Sequence, residues 1–593
     1  MTTAANPLHA DVSAVPDDAP LVRRFFARAD ETPHEEAFAV YPRGASRPTT
    51  SITWGAWRDQ VRALAIVLLD AGVAHGDRIA VLAGNRPVWP IADLAIQALG
   101  AVGVGIYPSS APMQIDALLA DSGARWLITD DAAHGERLAE LVHDTPPEMR
   151  VIEGIILDDV ISDGRSTARE SWPLEAWSAV LQRGASRLTD DPAAVARFEA
   201  RLAEVTPDDL AALIYTSGST GVPKGACITH RYLAASAESI RQVLALRPSD
   251  RGVSFLPYSH AAERIFGQCT RILVGMPAAL IEDPADLFAV AAHFEPTLFG
   301  ALPRIFERLY EAAEVAERNG DDPHAAIARR IGTRVRLATS GGAALPVAVA
   351  ERLDALGLRI LGAYGQTEHL CVAMNRPAAP RFDTVGPPMP GTTLRIGDGG
   401  ELLIARSALS FSGYWRRPED TAAAFTDDGA WLRTGDQAEL LADGALRITG
   451  RVKELIALST GRKVAPLPIE AALTATPFIA HAVLHGEGRK YIVALLALRQ
   501  AIVEQWAAGQ GLDASWPALT SHPDVEAMIH AAVSSVNATL ARTDRIQAVA
   551  IVADAFTPEN GLLTPTLKVV RRAVETRYAE QFDALYRRGG GGP

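Results

Sequence analysis

Tyr215-Thr216-Ser217-Gly218-Ser219-Thr220-Gly221-Val222-Pro223-Lys224-Gly225 follows the apolar run Ala211-Ala212-Leu213-Ile214, and this order of residues decides how the chain is read. Ala211 to Tyr215 reads as a buried strand that runs into a glycine-rich loop holding one lysine. Such a loop is a phosphate cradle. Backbone N–H groups reach an anion where no Cβ blocks them, and Gly218, Gly221 and Gly225 supply those positions. Thr216, Ser217, Ser219 and Thr220 add hydroxyl donors, and Lys224 adds a full charge. The spacing from Gly218 to Lys224 imitates a Walker A loop. Pro223, however, stands where the last glycine belongs, and Gly225 follows the lysine where a magnesium-binding Ser or Thr is needed. Kinase and GTPase chemistry is therefore disfavoured. The plain alternative is a flexible polar surface loop, against which the preceding strand and the lysine in register both argue.

At 593 residues and 48% hydrophobic composition the chain is too long for one core and predicts two or more domains. Basic side chains number 57 against 70 acidic, a net charge of −13 without any long basic run, so nucleic acid is not an expected partner. The densest basic cluster, Arg329, Arg330, Arg334 and Arg336, is short and reads as a helix end and strand start. Cys227, Cys269 and Cys371 are far apart, which excludes a metal spacing and a disulfide framework and suits a reducing compartment. The segment from Met1 to Asp11 has neither a charged start nor an apolar core, so a cytoplasmic protein without a signal peptide is the expectation. The most apolar window, Ile91 to Tyr107, carries Asp93, Gln97 and glycines, and predicts a buried helix and strand rather than a membrane span.

Strand and helix alternate between Arg78 and Thr129. Arg78 to Leu82, Val102 to Tyr107 and Ala124 to Thr129 read as strands, with helices over Trp89 to Leu99 and Pro112 to Asp121. This rhythm predicts an α/β domain with parallel sheet, and it recurs with Gly252 to Leu256 and Arg336 to Thr339. From about Gly391 the texture becomes short alternating strands, Thr393 to Ile396, Glu401 to Ala405 and Ala445 to Thr449, a small β-rich subdomain. After Lys453 it becomes α+β, with strands near Val483, over Tyr491 to Leu498 and over Ile546 to Ala553, and a helix from Ala527 to Leu540. The expected division is a large N-terminal domain over 1–452 and a small C-terminal domain over 453–593, ending in a disordered glycine-rich tail. No internal repeat is present.

Four further constellations carry chemistry. Gly362-Ala363-Tyr364-Gly365-Gln366-Thr367-Glu368 follows a strand-like run from Leu358 to Leu361; it offers a flat face for a base and a hard oxygen for Mg2+. Trp431-Leu432-Arg433-Thr434-Gly435-Asp436 displays a carboxylate suited to two ribose hydroxyls. Gly450-Arg451-Val452-Lys453 sets a basic pair at the domain joint, and Thr557 to Lys568 is a Pro- and Gly-bearing loop with one lysine. Taken singly, each also fits a bland role: a tight turn, a turn aspartate, a solvated basic pair, an exposed loop lysine.

Together, in this order, they resemble the adenylate-forming superfamily, and the resemblance runs from about Thr53 to Lys568. Leu256-Pro257-Tyr258-Ser259-His260-Ala261-Ala262-Glu263-Arg264, Leu302-Pro303-Arg304-Ile305-Phe306-Glu307 and the Glu559 to Lys568 loop look like its long-chain fatty acyl-CoA synthetase branch. The resemblance implies a large adenylate-forming domain with a small mobile C-terminal domain, and ATP, Mg2+, coenzyme A and a fatty acid as its small-molecule partners. It implies that Thr216, Ser217, Gly218, Ser219, Thr220, Gly221 and Lys224 hold phosphates and that Glu368 ligates Mg2+. By the same resemblance Tyr364, Gly342 and Ala343 would lie about the adenine, Gln366 and Thr367 would bind the nucleotide, and Asp436 and Arg451 would hold the ribose. Lys568 bridges carboxylate and α-phosphate, His260 lies by the acyl pocket, Lys453 is a hinge, and Gly461 borders the pantetheine path. Two residues depart from the pattern: Ala438, expected in a turn, replaces a glycine, and Lys463 stands where Asn is common.

The acid itself is less defined. No aspartate for an α-amine occurs between Tyr258 and Ala262, and no carrier-protein motif is present, which disfavours an amino-acid assembly-line module. A long-chain fatty acid is the expectation. A medium-chain or aromatic acid, or a non-catalytic acyl-adenylate binder, stays open, as do peripheral membrane contact and oligomeric state.

Overall fold

The computed structural model describes residues 8–9, 19–130, 154–157, 174–217, 223–460, 462–512, 515–557, 560–564 and 568–588. The glycine-rich tail beyond Arg588 lies outside them. The predicted alternation is present: strands Arg78–Leu82, Val102–Ile106 and Trp126–Thr129 are joined by helices Val88–Ala98 and Pro112–Ser122. These strands pair in parallel within a seven-stranded sheet whose order is Pro223–Thr229, Leu210–Ser217, Val102–Ile106, Arg78–Leu82, Trp126–Thr129, Gly154–Leu157, Leu174–Ala176. Helix Val88–Ala98 is buried along its whole length. Its one charge, Asp93, is paired with Arg264 and accepts a hydrogen bond from Gln268 Nε2 at 2.8 Å, so the apolar window is a core helix. Among the described residues no helix is long and apolar enough to cross a membrane.

Two four-stranded sheets continue the large lobe. One orders Gly252–Ser254, Ala278–Ile281, Glu36–Tyr41, Thr50–Thr53, and the other Leu298–Ala301, Leu337–Ser340, Ile360–Gln366, His369–Met374. Strand Ile360–Gln366 differs from its expectation, since it does not end at Leu361 but runs on through the Gly362 to Gln366 motif. It pairs antiparallel with His369–Met374. Glycines normally signal a turn; here Gly365 is required because a Cβ on it would lie 1.8 Å from the Leu370 carbonyl oxygen.

Strands Thr393–Ile396, Glu401–Ala405, Trp431–Leu440 and Leu446–Arg451 form an antiparallel sheet with the short Leu8–His9 strand. Thr434-Gly435-Asp436 is therefore strand rather than turn, with Gly435 at φ +70°. Ala438 is likewise no turn residue. It is buried within the same strand, beside the ladder irregularity between Gln437 and Ala438. Beyond Lys453, strand Ile492–Leu498 pairs antiparallel with Ile479–His485 and parallel with Ile546–Val552. Helix Pro523–Thr539 buries Val525, Ile529, Val533 and Val536 at helical spacing onto one side of that sheet.

Candidate active site

The two strands that flank the phosphate loop pair with each other. Strand Pro223–Thr229 returns antiparallel to Leu210–Ser217 and sets Lys224 opposite Thr216. Pro223 is tolerated because it opens a strand at the edge of the sheet. Thr216 Oγ1 lies 3.5 Å from the Lys224 carbonyl oxygen. Gly218, Ser219, Thr220 and Gly221 lie outside the described residues, as does Gly461, and for Ser217 only the backbone is described. Lys224 is not a free charge here: its ammonium is paired with Asp420 and sits 5.5 Å from the centroid of the Tyr414 ring. The Tyr414 hydroxyl donates to Glu368 Oε1 at 2.5 Å. One tyrosine thus ties the cradle lysine to the candidate metal carboxylate. Tyr232, fully buried in helix His230–Leu244, pins the turn that bears Glu368. Its hydroxyl donates to the Thr367 carbonyl at 3.0 Å and accepts from the Leu370 N–H at 2.8 Å.

A second cluster joins three motifs that are distant in sequence. Tyr364 Oη donates to Asp436 Oδ2 at 2.5 Å, and Arg451 Nε approaches Asp436 Oδ1 at 3.0 Å across paired strands. Burial, then the Asp436 carboxylate, holds the Tyr364 hydroxyl well above the usual phenol range, so it stays a donor. In the same strand, Gln366 Nε2 is buried without a hydrogen-bond partner among the described residues. Gly342, at φ +80°, follows strand Leu337–Ser340, and Ala343 comes next in that loop.

Lys568 comes from the C-terminal lobe. Its backbone is tied to Thr564: the Thr564 N–H donates to the Lys568 carbonyl at 2.7 Å, and the Lys568 N–H donates to Thr564 Oγ1 at 3.1 Å. The residue as a whole keeps solvent exposure while its amine is desolvated by surrounding protein. That desolvation, then the Arg451 charge, lowers its pKa, and Asp436 opposes them. Across the cleft, burial and then the Lys568 charge push His260 down to about 4, so the imidazole is neutral near pH 7. Ala262 N–H donates to His260 Nδ1 at 3.0 Å, which leaves the ring proton on Nε2. The chain after His260 winds as a π-helix, Ala262–Cys269, packed against the glycines of strand Val102–Ile106. A Cβ on Gly103 would lie 2.8 Å from Arg264 Nη2, and one on Gly105 would lie 3.0 Å from the Ser259 Cα.

Lys568, His260, Asp436, Arg451 and Tyr364 thus fall within electrostatic reach of one another in a chain, Lys224 and Glu368 are linked through Tyr414, and Tyr232 holds the adjoining Thr367. Lys453 is placed in a single 3-10 turn, Val452–Glu454, directly after strand Leu446–Arg451. Sequence reasoning missed Tyr232, Tyr414 and Asp420. Tyr414 follows Gly413 in a Gly-Tyr-Trp run that offered a signal, whereas Tyr232 reads as an ordinary core aromatic.

Residues 25–415 match the family model described as AMP-binding enzyme, and residues 453–589 match the AMP-binding enzyme C-terminal domain. The long-chain-fatty-acid–CoA ligase FadD15 of Mycobacterium bovis is 33% identical over 93% of this chain and 94% of its own length. Long-chain-fatty-acid–CoA ligase 1 of Cavia porcellus is 27% identical, covering 92% of this chain and 84% of its own. Among solved structures, the A domain of carboxylic acid reductase from Segniliparus rugosus, in complex with AMP and a co-purified carboxylic acid, superposes with a TM-score of 0.77. It is 22% identical, with 97% of this chain and 95% of that one covered, a likeness of fold.

Proposed function

The chain belongs to the AMP-binding enzyme family, and from that premise we propose that it activates a long-chain fatty acid with ATP and passes the acyl group to coenzyme A. In the first step a carboxylate oxygen attacks the α-phosphorus and the bond to pyrophosphate breaks. In the second, the coenzyme A sulfur attacks the acyl carbon, the thiol proton is lost and AMP leaves. Neither step needs a protein nucleophile, so the chain's task is to hold anions and offset charge.

The observation that carries this reading is the position of Lys568. A cation from the small lobe lies in electrostatic range of His260, Arg451 and Asp436 of the large lobe. In this reading Asp436 takes the ribose hydroxyls, steadied by Tyr364 and Arg451, and the face of Tyr364 meets the adenine. The orphaned Gln366 Nε2 is a donor that a nucleotide could satisfy. Lys224 and the Thr216 hydroxyl serve the terminal phosphates. His260 presents Nε2–H to the acyl carboxylate without adding charge. Mg2+ suits Glu368, since this ion binds through one or two carboxylates plus substrate phosphates, and when bound it offsets phosphate charge. Lys453, in its short turn between the lobes, serves as the hinge that withdraws Lys568 for the second step.

A chain-length series in a pyrophosphate-release assay tests the substrate class. Each buried CH2 contributes about 0.8 kcal/mol, so two further carbons should raise kcat/KM roughly ten- to fifteenfold until the tunnel ends. A flat response, with aromatic acids preferred, refutes the fatty-acid reading.

A further inference from the structure

Lys224 and the Thr216 hydroxyl are the groups this reading assigns to the terminal phosphates, yet Lys224 is already paired. Its partner Asp420 stands in the short helix Pro418–Ala423, far along the chain from the cradle. The other Asp420 oxygen, Oδ2, lies 3.9 Å from Arg417 Nη1. Arg417 in turn reaches Asp121 Oδ1 at 3.6 Å, and Asp121 Oδ2 accepts from the Tyr215 hydroxyl at 2.7 Å. Arg417 Nε is buried with no hydrogen-bond partner among the described residues, so this guanidinium keeps donor capacity in reserve. Asp420 therefore stands between two cations. It sits on the first, and the second is within a small rotation of its side chain.

We infer that Asp420 is an internal counter-anion for Lys224, displaced onto Arg417 by the terminal phosphates of the nucleotide and restored when pyrophosphate leaves. The physical reason is charge. A polyphosphate carries several negative charges and outcompetes one carboxylate at the Lys224 ammonium, while Arg417 receives the displaced oxygen without leaving it unpaired. AMP, which has no terminal phosphates, does not exchange with Asp420. The carboxylate thus weakens the grip on ATP and on pyrophosphate alike, and so opens the site after the first step.

The inference rests on the assignment of Lys224 to phosphate, and the test separates the two. Binding of ATP, pyrophosphate and AMP is measured by titration calorimetry, without fatty acid, for the intact chain, Asp420→Asn, Asp420→Ala, Lys224→Met and Lys224→Met with Asp420→Asn. The pair is partly exposed, at 16% for the Lys224 side chain and 35% for that of Asp420, so its loss is worth about 1 kcal/mol, roughly fivefold in affinity. Both Asp420 variants should bind ATP and pyrophosphate about fivefold tighter, with AMP unchanged, and the gain should vanish in the Lys224→Met background. Unchanged or weaker ATP binding by both Asp420 variants, with Lys224→Met still impairing ATP, overturns the counter-anion. If Lys224→Met leaves ATP binding intact, the phosphate assignment of Lys224 falls first and takes the counter-anion with it.

Discussion

Replacing Lys568 by alanine removes the cation that the small lobe contributes to the cleft. The ammonium is partly desolvated, which strengthens each of its charge interactions relative to water. Its neighbours Asp436 and Arg451 lie 3.0 Å apart and largely cancel each other, so the Lys568 charge is not spent on the protein. A charge pair at about 4 Å with an effective dielectric near 20 is worth roughly 4 kcal/mol. Deleting one donor from an oxyanion site costs about 2.7–4 kcal/mol, or 10²–10³ in rate. The lower end applies, because the Arg451 guanidinium remains nearby, and about 10² is the expected loss in adenylation. The assay is ATP–pyrophosphate exchange at saturating acid and ATP, set beside thioester formation from supplied acyl-adenylate. Exchange should fall about a hundredfold and thioester formation should hold. The lowered Lys568 pKa adds an alkaline limb to the exchange rate that begins below the ordinary lysine range and disappears in Lys568→Ala. Equal losses in both half-reactions, or none in either, refute the reasoning.

Other perturbations read other parts of the molecule. Tyr364→Phe keeps the aromatic face but removes the hydroxyl on Asp436, a hydrogen bond to a charged group worth about 1.5–3 kcal/mol. KM for ATP should rise by roughly tenfold or more, and an unchanged KM would separate the Asp436 bond from nucleotide binding. Buried His230 and His369 are held neutral by desolvation, down to about 4 and about 3. The unfolded chain, near pKa 6.5, takes up their protons first, so stability is full above that value and falls as pH drops. The loss is roughly 2 kcal/mol for each at pH 5, and denaturant unfolding of His230→Gln at pH 7 and pH 5 should show that much less pH dependence. Lys453→Pro stiffens the turn at the lobe joint; thioester formation should suffer far more than pyrophosphate exchange, and normal overall turnover would count against a hinge there.

The order of motifs, their residue types and the alternation of strand and helix were readable from the chain alone. Hydrophobic periodicity is a local property, so the strands Arg78–Leu82, Thr393–Ile396 and Glu401–Ala405 fall where pattern places them. Lys224, Asp436 and Lys568 were visible as candidates because their neighbours, Gly and Pro above all, leave a local signature. Tertiary structure decided the rest. Gly365 looks like a turn residue until the Leu370 carbonyl is seen to cross it. Asp436 looks like a turn aspartate until its strand pairs with the one bearing Arg451. Asp420 carries no signal at all, because its meaning lies in a cation 196 residues away. Charge pairing through space depends on which backbones the fold brings together, and no window of sequence contains both partners.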